Sequence, residues 1–130
     1  MTSIKNFEDL ESWKKSRELA GFVYGLTRKA DFSRDFGLRD QIQRAAGSVM
    51  HNIAEGFECG SDPEFVRFLK MARRSASEVQ SELYLALDCQ YITHDKLERG
   101  YALALDAKKL INGLMTYLRR SSQPARRSAD

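Results

Sequence analysis

Residues 36–57 read FGLRDQIQRAAGSVMHNIAEGF, and the apolar members of this stretch decide the fold. Leu38, Ile42, Ala45, Val49, Ile53 and Phe57 recur at intervals of three or four. That spacing returns to one side of a helix, whereas a strand would alternate sides at every residue. The stretch is therefore a helix with a single apolar face, starting near Gly37 and ending at Gly56 and Gly60. A face of this kind has to be buried against other elements.

Downstream, Ser61-Asp62-Pro63 predicts a new helix start, with Asp62 as N-cap and Pro63 at the first helical position. Leu69, Ala72, Ala76, Val79, Leu83, Ala86 and Gln90 then alternate steps of three and four, which makes a bundle-type seam. Tyr91 to Asp95 breaks the pattern, and Thr93 is placed to cap a further helix. That helix carries Leu97, Tyr101, Ala104, Ile111, Leu114, Met115 and Leu118, and it ends near Arg119 and Arg120, cations suited to a helix C-terminus. Upstream, Leu10, Trp13, Leu19, Val23 and Leu26 predict a first helix from about Phe7 to about Lys29. The stretch ADFSRDF, residues 30–36, reads as a loop with Asp31, Ser33 and Asp35 as turn formers. Four helices with short connections pack as an all-α, antiparallel up-down-up-down four-helix bundle. Residues 1–120 form this domain, and residues 121–130, polar and containing Pro124, form a disordered basic tail.

The composition suits one globular domain: 130 residues, 42% hydrophobic and 30% charged. No apolar run approaches a membrane span, and Met1 to Asn6 has no signal-peptide character, which predicts a cytoplasmic protein. Cys59 and Cys89 lie far apart and read as two reduced thiols, Cys89 as a filler of core space. The net charge is +3. Setting aside Arg119, Arg120, Arg126, Arg127 and Asp130 leaves 17 basic and 17 acidic residues between Met1 and Leu118. The excess thus sits at the C-terminal end, a weaker nucleic-acid signal than a basic fold.

Enzyme signatures are missing from the sequence. It contains no Gly-rich phosphate loop, no GxSxG, no HExxH and no Glu-x-x-His pair. His51 and His94 stand singly on different helices. The expectation is a protein with no catalytic residues, no metal, no organic cofactor and no small-molecule substrate.

Two surfaces stand out. Gln41, Ser48, Asn52 and Glu55 fall within a strip roughly 60° wide beside the apolar face of their helix. They read as a polar border satisfied internally, with a ligand site as the competing reading. Asn52 and Glu55 are expected to bond loop backbone or the start of the next long helix, with Arg73 as Glu55's candidate partner. Ala46, Gly47 and Ala54 leave another side thin enough for a partner's close approach. In the following helix Phe65, Val66, Phe68, Leu69, Met71 and Ala72 cover an arc of roughly 220°, against the stripe of about 100° that a bundle helix needs. The surplus predicts a subunit interface. Arg67, Lys70, Arg73 and Arg74 precede Glu78, Glu82 and Asp88, an order opposed to the helix dipole and suited to another charged surface. Arg67, Lys70, Arg74, Arg119, Arg120, Arg126 and Arg127 are the candidate nucleic-acid contacts.

The run from Phe36 to Phe57, with Asn52-Ile53-Ala54-Glu55-Gly56 at its core, closely resembles the signature of the bacterial four helix bundle protein family. These are also called 23S rRNA intervening-sequence or S23 proteins. Glu64 to Ser75, followed by Glu78, resembles the family's next helix, and Phe7, Leu10 and Trp13 its opening. The resemblance extends from about Phe7 to Leu118. Gln41, Arg44, Ser48, Asn52, Glu55, Gly56, Arg73, Ser75 and Glu78 fall on its pattern as structural positions, while Arg74 stands where the family usually has Gly. The resemblance implies a ring-like homopentamer and kinship with accessory proteins of diversity-generating retroelements, barrels that bind nucleic acid and a protein partner. Two function classes follow: an oligomeric RNA- or DNA-binding accessory protein, or a structural interaction bundle with no nucleic-acid role.

Overall fold

The computed structural model describes residues 4–121. A 3-10 turn, Phe7–Asp9, precedes α1 (Glu11–Thr27), α2 (Ala30–Arg34), α3 (Phe36–Phe57), α4 (Asp62–Asp88) and α5 (His94–Ser121). The four long helices close a ring, with α1 against α3 and α5, and α4 against the same two. Cross-helix contacts set the directions. Ser75 of α4 meets Ser48 of α3, while Gly56 faces Phe65 and Phe68, so α3 and α4 are antiparallel. Arg73 reaches Asn112 and Gln80 reaches Tyr101, so α4 and α5 are antiparallel as well. The expected up-down-up-down bundle is the fold.

The core is the set of residues that the periodicity selects. Leu19 and Val23 of α1, Ile42, Val49 and Ile53 of α3, Leu69, Val79 and Leu83 of α4, and Ile111 of α5 are fully buried. Burying one such side chain contributes about 1.5–3 kcal/mol, and the sum offsets the cost of ordering the chain.

The N-terminal region differs from the single helix expected over Phe7 to Lys29. Leu10 is extended, with φ −75° and ψ 128°, and interrupts it. The break lets Phe7 fold edge-on against Trp13, with ring centroids 5.2 Å apart, while Leu10 is buried. In a continuous helix residues six apart would face about 120° away from one another. The expected loop over residues 30–36 instead contains α2. Its Phe32 is fully buried and stacks on Tyr91 at 5.2 Å, closing that end of the bundle. Asp35 then caps α3, accepting from the Leu38 N–H at 3.1 Å and the Tyr91 hydroxyl at 2.9 Å. These two donors hold its carboxyl below the usual range.

The α4 N-cap is Ser61 rather than Asp62. Ser61 accepts from the Glu64 N–H at 3.3 Å, so Ser61-Asp62-Pro63-Glu64 follows the capping-box sequence. Pro63 moves to the second helical position, where its missing N–H still costs no helical bond. The other end of α4 closes with Gln90 at φ 65°. The Gln90 N–H donates to the Leu87 carbonyl and the Tyr91 N–H to the Ala86 carbonyl, both at 2.9 Å, the two bonds of a Schellman motif. Cys89, expected in the core, is exposed in this turn, and both cysteines are free thiols. Thr93 caps α5 as expected, accepting from the Lys96 N–H at 3.2 Å.

Candidate functional site

Apart from Arg73, the family-pattern residues divide into two groups. Asn52 donates its side-chain N–H to the Ser48 carbonyl and to the Ser48 hydroxyl, each at 2.9 Å. The buried Ser75 hydroxyl donates to the Ser48 hydroxyl at 2.9 Å, tying α4 to α3. Gly56 completes this group. A Cβ there would lie 2.8 Å from both Phe65 Cδ1 and Phe68 Cβ. Ser48, Gly56 and Ser75 therefore make the close α3–α4 contact, while Asn52, expected to bond a loop or the next helix, holds Ser48 from within α3. Gln41, Arg44, Glu55 and Glu78 are exposed and form no hydrogen bond or ion pair among the described residues. The expected Glu55–Arg73 pair is not formed. Arg73 turns to α5 and donates to Asn112 Oδ1 at 2.8 Å, because α4 presents that side to α5 and not to α3. Ala46 is also corrected: it is fully buried in the core, while Gly47 and Ala54 remain partly exposed.

The charge order of α4 is less anomalous than its sequence suggests. Asp62 and Glu64 occupy the first turn, as the helix dipole favours. Glu64 accepts from Arg67 Nε at 2.9 Å, and Arg67 also lies over the Phe68 ring at 4.7 Å. Arg67 is thus paired locally. Beyond it, Lys70, Arg73 and Arg74 project towards Lys108 of α5, and with Ser77 they line an open groove of about 400 Å³. Asn112 and Gln80 fix two of these cations through neutral contacts. Asn112 holds Arg73, and Lys108 Nζ donates to Gln80 Oε1 at 3.0 Å. None of the four cations has an ion-pair partner among the described residues, and no carboxylate lines the groove.

Of the sequence candidates, Lys70 and Arg74 meet in this groove and Arg67 stands outside it. Arg119 and Arg120 lie in the last turn of α5, and Arg126 and Arg127 fall outside the described residues. Lys108 is not singled out by the sequence, and Arg73 enters that reading as one of the basic run of α4 and as Glu55's candidate partner, not as a nucleic-acid contact. Lys108 and Asn112 are one turn apart on α5, a spacing visible in sequence, but only the α4–α5 register sets them opposite Arg73. Arg74, which replaces the glycine usual in the resembled pattern, is exposed and adds a cation to this groove.

A second polar feature lies on α4. Glu82 is half-buried, and its Oε1 has no hydrogen-bond partner. Burial first, and the neighbouring Glu78 second, push its carboxyl up to about 7. No cluster of three or more His, Cys, Asp or Glu able to hold a metal occurs among the described residues. No helix among them is long and apolar enough to cross a membrane.

Residues 8–113 match the family described as 23S rRNA-intervening sequence protein. No curated protein matches the chain. Among solved structures, it is similar to a protein of unknown function from the S23 ribosomal protein family of Bacteroides thetaiotaomicron. The two share 25% identity over 80% of this chain and 97% of the other, with a TM-score of 0.73.

Proposed function

The chain belongs to the 23S rRNA-intervening sequence protein family, and from that premise we propose that it is a non-enzymatic, homo-oligomeric bundle that binds the phosphate backbone of RNA or DNA. The observation that carries this reading is the groove between α4 and α5. Lys70, Arg73, Arg74 and Lys108 converge there without a carboxylate to neutralise them. Like charges held together by neutral hydrogen-bond partners repel one another, and a bound phosphate relieves that repulsion.

The assembly is a homo-oligomer, with five copies being the number that the family resemblance implies. Two features support assembly. Phe68 and Met71 of α4 remain partly exposed, and Gln41, Arg44 and Glu55 stand outside the protomer's own packing on the Ser48 side of α3. Repetition in a ring would multiply a weak attraction to phosphate through avidity. The basic C-terminal residues Arg119, Arg120, Arg126 and Arg127 would add to it. A cytoplasmic setting suits the free thiols. A further protein partner, as the resemblance implies, would share the assembled surface.

The test is retention on heparin and on rRNA fragments as salt rises, for the wild type and for Lys70→Gln/Arg74→Gln. Both substituted side chains are exposed, so the fold survives. The reading expects the wild type to elute later than the variant. Equal elution removes the groove from the account, and no retention at low salt supports the purely structural class.

A further inference from the structure

The α4/α5 face that carries the basic groove also carries an aromatic groove, further along both helices. On α4, Lys70, Arg74, Ser77, Ser81 and Tyr84 step by four, three, four and three, and all are exposed. On α5, Tyr101, Leu105, Lys108 and Asn112 run alongside in the opposite direction. Gln80 joins the two ends. Its Oε1 accepts from Lys108 Nζ at 3.0 Å, and its Nε2 donates to the Tyr101 carbonyl at 3.4 Å. Beyond Gln80, Tyr84 and Tyr101 meet edge to face at 6.1 Å and 78°. Tyr84 nonetheless keeps 52% of its surface in water and Tyr101 37%. With Leu105 they line an apolar groove of about 350 Å³. The stripe runs about 20 Å from Lys70 to Tyr84 at 1.5 Å per residue.

Resting on the phosphate-binding reading above, we infer that this composite face takes single-stranded nucleic acid, with phosphates on the Lys70–Lys108 cations and unpaired bases stacked against Tyr84 and Tyr101. Cations that track a backbone beside exposed rings that accept base faces are the two parts of a single-strand site. A duplex hides its base faces and could use only the basic half. Charge complementarity favours this occupant over an apolar helix, because the four cations lie on the same α4/α5 face as the tyrosine groove, with Lys108 one turn from Leu105. The one carboxylate lining the aromatic groove, Glu98, sits beside His94 at 3.2 Å. A tyrosine pair that only stapled α4 to α5 would not need Tyr84 half in water.

The experiment uses fluorescence anisotropy of a labelled oligouridylate and of an RNA duplex of the same length, with the full chain. Tyr84→Ala and Tyr101→Ala should each weaken oligouridylate binding about five- to a hundredfold, the range that stacking of one base supplies. The salt dependence should stay unchanged, because no phosphate contact is lost. Tyr84→Phe and Tyr101→Phe should bind like the wild type, and duplex affinity should be unaffected by all four variants. Lys70→Gln/Arg74→Gln should weaken both probes and flatten the salt dependence. Equal wild-type affinity for strand and duplex, or wild-type oligouridylate affinity in both alanine variants, overturns the inference. If the charge variant still weakens binding in that case, phosphate recognition stands without base stacking; if it does not, both readings fail. An alanine variant with altered mass by light scattering and unaltered oligouridylate affinity would assign the tyrosines to a contact between copies, and that also overturns the inference.

Discussion

Gly56→Ala tests the α3–α4 packing with a single methyl group. The added Cβ would meet Phe65 Cδ1 and Phe68 Cβ at 2.8 Å, and Phe65 Cε1 at 3.3 Å. Carbon atoms pack comfortably at about 3.5–4.0 Å, so roughly 0.7 Å or more has to be found. The Phe65 ring can tilt, but it is buried and packs edge-on against Phe57 at 6.1 Å. Phe68 Cβ moves only with the α4 backbone. Overpacking of this kind costs about 1–3 kcal/mol. Alanine recovers about 0.5–1 kcal/mol of helix propensity. The net loss is therefore about 1–2 kcal/mol, a fall in Tm of roughly 3–10 °C for a domain of this size. Gly113→Ala is the control. It lies within α5, where an added Cβ meets nothing within 4 Å, so it should raise stability by about 0.5–1 kcal/mol. Urea and thermal unfolding followed by circular dichroism measure both variants. A Gly56→Ala protein stabilised to the same degree as Gly113→Ala would refute the close approach of α3 and α4 at this point.

Glu82 should make stability fall with rising pH. Its carboxyl titrates at about 7 in the folded protein and at about 4.5 when unfolded, so the folded state holds the extra proton between those values. The adverse contribution grows through that window and is complete above it. At about 1.4 kcal/mol per pH unit, reduced for partial exposure to water, Glu82→Gln should gain about 1–2 kcal/mol over the wild type at pH 8 and almost nothing at pH 4; a wild-type advantage at pH 8 would mean that Glu82 meets a cation in the assembled protein. Ser75→Ala removes the donor to Ser48 in a buried seam and should cost about 1 kcal/mol by chemical denaturation. Glu55→Ala, at an exposed residue, should change protomer stability by less than about 0.5 kcal/mol, and a larger loss would show that Glu55 is buried between copies.

The long helices were legible because each repeats its apolar residues over several turns. The run from Leu69 to Ala86 in α4 becomes a fully buried seam. What escaped the sequence depends on contacts between segments. The break at Leu10 exists because Phe7 finds Trp13, and α2 exists because Phe32 finds Tyr91, a residue far along the chain. Periodicity cannot register a partner of that kind. Cys89 looked like core because of its residue type, yet it sits in the turn that ends α4. The candidate site shows the same limit. Lys70 and Arg74, four residues apart, share a face of α4, but spacing cannot say which neighbouring helix that face meets. Arg73 therefore received Glu55 as a partner when the α4–α5 register supplies Asn112. Lys108 was invisible as a site residue for the same reason. The groove is a property of two helices held in register by Gln80 and Asn112, and neither helix contains it alone.

Contact between phosphate and the four cations of the α4/α5 groove is read out by the salt dependence of RNA affinity. For single strands the slope of log K against log salt is about −0.7 per phosphate contact, so four contacts in one groove contribute roughly −2.8. Lys70→Gln/Arg74→Gln removes two of them and should bring the slope about 1.4 units closer to zero, in an oligomer of unchanged mass. An identical slope in the two proteins, or no measurable RNA affinity of the wild type at low salt, would contradict the account.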